Sequence, residues 1–71
     1  MKFETLEFEV REGVAHLVLN RPEAANAINL AMGRELMQAA LLCDEDPGIR
    51  AVRIAANGKI FCSGGDLAAF A

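Results

Sequence analysis

Apolar and polar residues alternate at the start of the chain and then change period. Phe3 to Val10 reads Phe-Glu-Thr-Leu-Glu-Phe-Glu-Val, so Leu6, Phe8 and Val10 share one face and Glu7 and Glu9 take the other. A period of two predicts a half-buried strand. Arg11-Glu12-Gly13 supplies a turn, and Val14 to Leu19 is apolar at nearly every position. Two strands this close predict a hairpin. Asn20-Arg21-Pro22-Glu23 ends the second strand, because Pro22 has no N–H to give and biases Arg21 away from helix. Ala24 to Ile28 reads as a loop or short helical turn. Asn29 predicts an N-cap for a helix from about Leu30 to Cys43. Met32, Leu36, Ala39, Ala40 and Cys43 recur at helical spacing and predict its core face. Gly33 weakens it by about 1 kcal/mol relative to alanine unless something packs closely there. Asp46-Pro47-Gly48 closes the segment. Ile49 to Ala55 predicts a third strand, with Val52 and Ile54 on one face and Arg53 between them. Asn57-Gly58 marks a turn, Lys59 to Cys62 a short extended piece, and Leu67 to Phe70 a helix start. The predicted class is α/β, in the order β-β-α-β-β and then a helix start.

Composition changes this picture in one respect. The chain has 71 residues, enough for a single unit over 1–71, yet 54% of them are hydrophobic, above the roughly 45–50% usual for globular chains. A core this small cannot hide that much apolar surface. The excess suits either part of a larger domain or a subunit that buries its faces in an oligomer. The apolar run at Leu67 to Ala71 points to the first of these. Net charge is −3, no basic cluster exists, and all four aromatics are Phe, which disfavours nucleic acid as a partner. No apolar run is long enough to span a bilayer. Met1-Lys2 leads into Glu4, Glu7 and Glu9, not a secretory leader, so a cytoplasmic location is expected. Cys43 and Cys62 lack metal-ligand spacing and read as buried, reduced thiols without a disulfide.

Candidate chemistry gathers at Lys59-Ile-Phe-Cys-Ser-Gly-Gly-Asp66-Leu67. A strand runs into two glycines and then a helix start. Glycines let a ligand approach the backbone closely, and a helix start presents unpaired N–H groups that suit an anion or a developing oxyanion. Asp66 is placed to cap the helix. The same join also serves as a plain tight turn. Cys62 beside Ser63 has the look of an activated thiol but no partner base. His16 lies in an apolar strand and reads as structural. Lys59 and Arg21 are candidates for phosphate contact or for solvated positions. Met32, Leu36 and Met37 read as core. No Gly-x-Gly-x-x-Gly fingerprint or phosphate loop is present.

Taken together, Asn20-Arg-Pro-Glu-Ala-Ala-Asn-Ala-Ile28 and, about thirty residues later, Gly58-Lys-Ile-Phe-Cys-Ser-Gly-Gly-Asp-Leu67 resemble the enoyl-CoA hydratase/isomerase (crotonase) family. The resemblance extends over essentially the whole chain and corresponds to the N-terminal portion of the family's domain. It implies ββα units wound into a spiral and an acyl-CoA thioester as substrate. It also implies an oxyanion hole of two backbone N–H groups that stabilises an enolate. One donor falls at Gly65, where alanine is a frequent alternative with the same N–H. Ala24, Ala25 and Ala27 match the loop that meets CoA, and Ser63, Gly64, Gly65, Asp66 and Leu67 match the opposite wall. No metal or redox cofactor is implied, coenzyme A being part of the substrate. The parent protein is expected to be a homo-oligomer, a trimer or hexamer.

The family's second oxyanion donor and its acid/base carboxylates belong to positions downstream of this chain. The 71-residue chain alone is therefore expected to leave crotonyl-CoA unchanged. The reading from another class is a small non-catalytic chain that self-associates or docks on a full-length relative.

Overall fold

The computed structural model describes residues 2–65. Strands β1 (Leu6–Arg11) and β2 (Val14–Leu19) form an antiparallel hairpin, with Leu6 opposite Leu19 and Arg11 opposite Val14. The two linking residues, Glu12 and Gly13, have φ of 52° and 79°. Positive φ at both is what a two-residue hairpin turn requires to match the twist of its strands. After a short 3-10 turn at Pro22–Ala24, helix α1 (Leu30–Glu45) crosses over and delivers β3 (Ala51–Ala56) parallel to β2. The sheet order is β1-β2-β3. The expected α/β arrangement of a ββα unit followed by a strand is present.

Boundaries differ from the sequence pattern where other groups take the backbone. β1 begins at Leu6, not Phe3, because the N–H groups of Glu4 and Thr5 donate to the Glu35 carboxylate on α1 (2.8 and 2.7 Å). β3 begins at Ala51, not Ile49, because the Ile49 N–H donates to the Asp46 carbonyl (3.0 Å) and the Arg50 N–H to that of Gly13 (2.8 Å). α1 runs on to Glu45, past Cys43, and Asn29 caps it as expected: Asn29 Oδ1 accepts from the Met32 N–H at 2.9 Å. The fourth strand expected at Lys59 to Cys62 does not form. Among the described residues beyond β3 the ladder shrinks to one parallel bridge, Ile28 with Gly65. The helix start expected at Leu67 lies outside the described residues.

The register places Leu6, Phe8 and Val10 of β1 on the face that also carries Ala15, Leu17 and Leu19 of β2 and Val52, Ile54 and Ala56 of β3. The core lies between this face and α1: Leu6, Ala15, Leu17, Leu19, Met32 and Ala39 are buried, with Phe3, Phe8, Ile28, Leu36, Ala56 and Cys62 packed around them. Several expected core positions are not buried: Val10 is 43% and Met37 60% exposed, Ala40 is exposed, and Leu36, Cys43 and Cys62 are half-buried. α1 packs toward β1, so the β3 side lies open, with Val52 46% and Ile54 55% exposed. A cleft of about 400 Å³ runs there, between Leu36, Ala40 and Cys43 of α1 and Val52 and Ile54 of β3. The radius of gyration, 12.4 Å, exceeds the roughly 11 Å of a compact chain this long. No helix among the described residues is long and apolar enough to cross a membrane.

Candidate functional site

The loop after β2 is built by its own short-range bonds. The Asn20 N–H donates to the Thr5 carbonyl (2.8 Å), which ends the hairpin. Pro22 opens the 3-10 turn, and the N–H groups of Ala24, Asn26 and Ala27 find the carbonyls of Arg21, Arg21 and Ala24 at 2.8–3.0 Å. Ala25 and Asn26 then take φ of 52° and 54°. Asparagine enters this left-handed region more readily than most residues, and alanine carries only a methyl into it. The Arg21 guanidinium donates to the Ala27 carbonyl and braces the loop from within.

The segment after β3 is laid against this loop. The Asn57 N–H donates to the Leu19 carbonyl (2.9 Å), and its side chain donates to Glu7 and Asn20 (both 3.0 Å). The Ser63 N–H donates to the Ala25 carbonyl (3.1 Å) and the Ile28 N–H to the Gly64 carbonyl (2.8 Å). Between them lies Asn26, whose exposure is 0%. Its Oδ1 accepts from the Arg21 N–H (2.8 Å), and its Nδ2 donates to the carbonyls of Asn57 and Ile60 (2.7 and 2.8 Å). The structure thus brings Ala24, Ala25 and Ala27 beside Ser63, Gly64 and Gly65. Asp66 and Leu67 lie outside the described residues.

The orientation of the Gly65 N–H follows from the peptide before it. No cis peptide is present among the described residues, and in a trans peptide the C=O and the next N–H point in opposite directions. The Gly64 carbonyl is directed at Ile28, so the Gly65 N–H is directed away from the loop, on an exposed residue. Gly64 reaches this geometry at φ 102°, a region that L side chains avoid. The result is an outward N–H beside small side chains, a surface that can donate to an oxygen atom approaching the backbone.

Other candidate groups lie apart from it. His16 sits on the sheet face away from α1, opposite Glu9 and Arg53, and its Nδ1 has no hydrogen-bond partner among the described residues. Cys62 is a free, half-buried thiol packed against the core, as is fitting for a structural residue. Lys59 is exposed. Among the described residues no group of three His, Cys, Asp or Glu side chains could hold a metal. Asn26 was absent from the residues singled out by motif. It lies inside the first of the two motifs, but only the neighbouring alanines were taken from that motif as site residues.

The family model described as Enoyl-CoA hydratase/isomerase matches residues 9–71. The chain is 40% identical to a trans-2-decenoyl-[acyl-carrier-protein] isomerase of Streptococcus mutans over 94% of its own length and 26% of the relative's. It is 42% identical to a probable enoyl-CoA hydratase of Rhodobacter capsulatus over 94% of its length and 25% of that protein's. The crystal structure of an enoyl-CoA hydratase/isomerase from Mycobacterium paratuberculosis superposes with a TM-score of 0.90 at 35% identity, over 93% of this chain and 26% of that one. The chain spans about a quarter of the length of each of these relatives. With the two predicted motifs joined in space and 63 of the 71 residues (9–71) matched by the family model, the chain belongs to the enoyl-CoA hydratase/isomerase family.

Proposed function

We propose that residues 24–27 and 63–67 form part of an acyl-CoA site and that the Gly65 N–H is one of two backbone donors to the thioester carbonyl. The outward orientation of that N–H, imposed by the Gly64–Ile28 hydrogen bond, carries the proposal. Removing a proton next to a thioester carbonyl, or adding a nucleophile across a conjugated double bond, places negative charge on the carbonyl oxygen. A fixed N–H aimed at that oxygen binds the enolate more strongly than the ground state, which is how such a donor lowers a barrier. One such donor contributes about 2.7–4 kcal/mol. Small side chains at Ala24, Ala25 and Ala27 let the pantetheine arm and adenine lie close to the backbone. No metal or redox step enters this chemistry.

Among the relatives, one is named as an isomerase of an acyl-carrier-protein thioester and another as a CoA hydratase. Both names describe an unsaturated thioester, and enolate stabilisation is the step that double-bond migration and hydration share. The proposed parent activity is therefore hydration or double-bond isomerisation of an enoyl thioester, in a homo-oligomer, with the proton-transferring carboxylates outside this chain. The test is a titration of the ¹⁵N-labelled chain with acetyl-CoA and, separately, with free CoA. Acetyl-CoA is expected to move the Gly65 amide resonance downfield, whereas free CoA moves only the amides of residues 24–27. No response at either set sinks the proposal. Crotonyl-CoA is expected to remain unhydrated in the same tube.

One observation favours a second reading, a small chain that associates with copies of itself: the exposed Val52 and Ile54 along the open β3 edge.

A further inference from the structure

We infer that Asn26 is a positioning residue for the Gly65 N–H, a role that rests on the thioester reading above. The segment from Asn57 to Gly65 has no strand ladder to hold it. Beyond the Asn57 bonds to Leu19 and Glu7, its place is set by hydrogen bonds to the 20–28 loop, and the Asn26 carboxamide supplies two of them, to the carbonyls of Asn57 and Ile60. The same carboxamide accepts from the Arg21 N–H and so fixes the loop's own entry. Both of its N–H donors and one acceptor position are used, at 0% exposure. Only asparagine and glutamine offer two donors and an acceptor in one planar carboxamide, and asparagine holds it on the shorter stem. The Ser63–Ala25 and Ile28–Gly64 bonds follow along the same seam and aim the Gly64–Gly65 peptide. Asn26 thereby locks the loop carrying Ala24, Ala25 and Ala27 to the segment carrying the donor. A displacement of roughly 1 Å at such a donor is enough to cost about a hundredfold in rate, so the lock bears on chemistry and not only on fold.

The experiment compares the full 71-residue chain with Asn26→Ala and Asn26→Asp by amide hydrogen exchange, followed by the acetyl-CoA titration on the same samples. Asp keeps the acceptor for the Arg21 N–H and loses both donors; Ala loses all three bonds. In both variants the Ile28 and Ser63 amides are expected to exchange at least about tenfold faster, while the amides of β2 and the middle of α1 stay within about threefold of the parent chain. The Arg21 amide is expected to stay protected in N26D and to open in N26A. The acetyl-CoA shift at Gly65 is expected to shrink in both. Equal acceleration throughout the molecule in both variants overturns the inference, since Asn26 then serves the whole fold. Unchanged exchange at Ile28 and Ser63 overturns it as well. A parent chain silent toward acetyl-CoA refutes the thioester reading, while exchange still decides whether Asn26 locks the segment. A full Gly65 shift in all three chains refutes the positioning role and leaves the thioester reading standing.

Discussion

Single residues around the loop carry geometry that substitutions can isolate. A Cβ at Gly58 would lie 2.9 Å from Pro22 Cβ, and φ there is +88°. At Gly64 φ is +102° but no atom of the described residues lies within 4 Å of a new Cβ. Gly58→Ala therefore meets both backbone strain and a clash with a proline ring that cannot rotate away, whereas Gly64→Ala meets strain alone. Strain of this kind costs about 1–3 kcal/mol, and the clash adds to it. In urea unfolding, G58A is expected to lower the midpoint clearly more than G64A; equal losses would show that the Pro22 contact is unimportant. Asn57-Gly58 was legible as a turn from its residue types. That Gly58 presses on Pro22, thirty-six residues earlier in the sequence, was not, because the closeness of two loops is a property of the sheet that carries them.

Among the elements, the joint between the N-terminal segment and α1 depends on ionisation. Burial pushes the Glu35 pKa upward, but the bonds from the Glu4 N–H, the Thr5 hydroxyl and the Thr5 N–H outweigh it, and the net position is below the ordinary glutamate value. A carboxylate whose folded pKa is depressed stabilises the fold above the unfolded pKa and loses that contribution as pH falls through the folded one. The unfolded value is about 4.3, so the window lies below about pH 4. Glu35→Gln is expected to melt lower than the parent chain at neutral pH, with the gap narrowing as pH falls below about 4. A gap of constant size across that range would mean that the charge on Glu35 contributes nothing. The strand, helix and cap of this part were all readable from period and residue type. The shortened start of β1 was not, because a glutamate thirty residues away takes the two N–H groups that would have begun the ladder.

For the whole molecule, the decisive feature is the apolar surface left between α1 and β3. β3 lies at the edge of the sheet among the described residues, and an edge with Val52 and Ile54 beside it invites another strand or apolar segment. The 54% hydrophobic composition signalled such a surplus; only the packing of α1 toward β1 showed which face carries it. If the chain associates with itself, this face is where it does so. Ile54→Lys, at an exposed position, is then expected to weaken association by about tenfold or more in sedimentation equilibrium, with the melting temperature little changed. Unchanged association would place the contact elsewhere, and a monomeric parent chain would refute the self-associating reading.

The order of hairpin, helix and third strand, the Asn29 cap and the turn at Glu12-Gly13 were determined by local sequence. Each depends on residues within one turn or one alternation of one another, where period and side-chain chemistry act directly. The two loop motifs were also legible, and with them the family. Tertiary structure alone decided that Lys59 to Cys62 forms no strand, that Val10, Val52 and Ile54 stay uncovered although they lie on the core face of the sheet, and that Asn26 lies between the two loops. Those outcomes depend on partners thirty or more residues distant, or on which side of the sheet a helix settles. A buried carboxamide between two loops leaves no periodic trace in a sequence; it is recognised only when the carbonyls it holds are seen to converge on it.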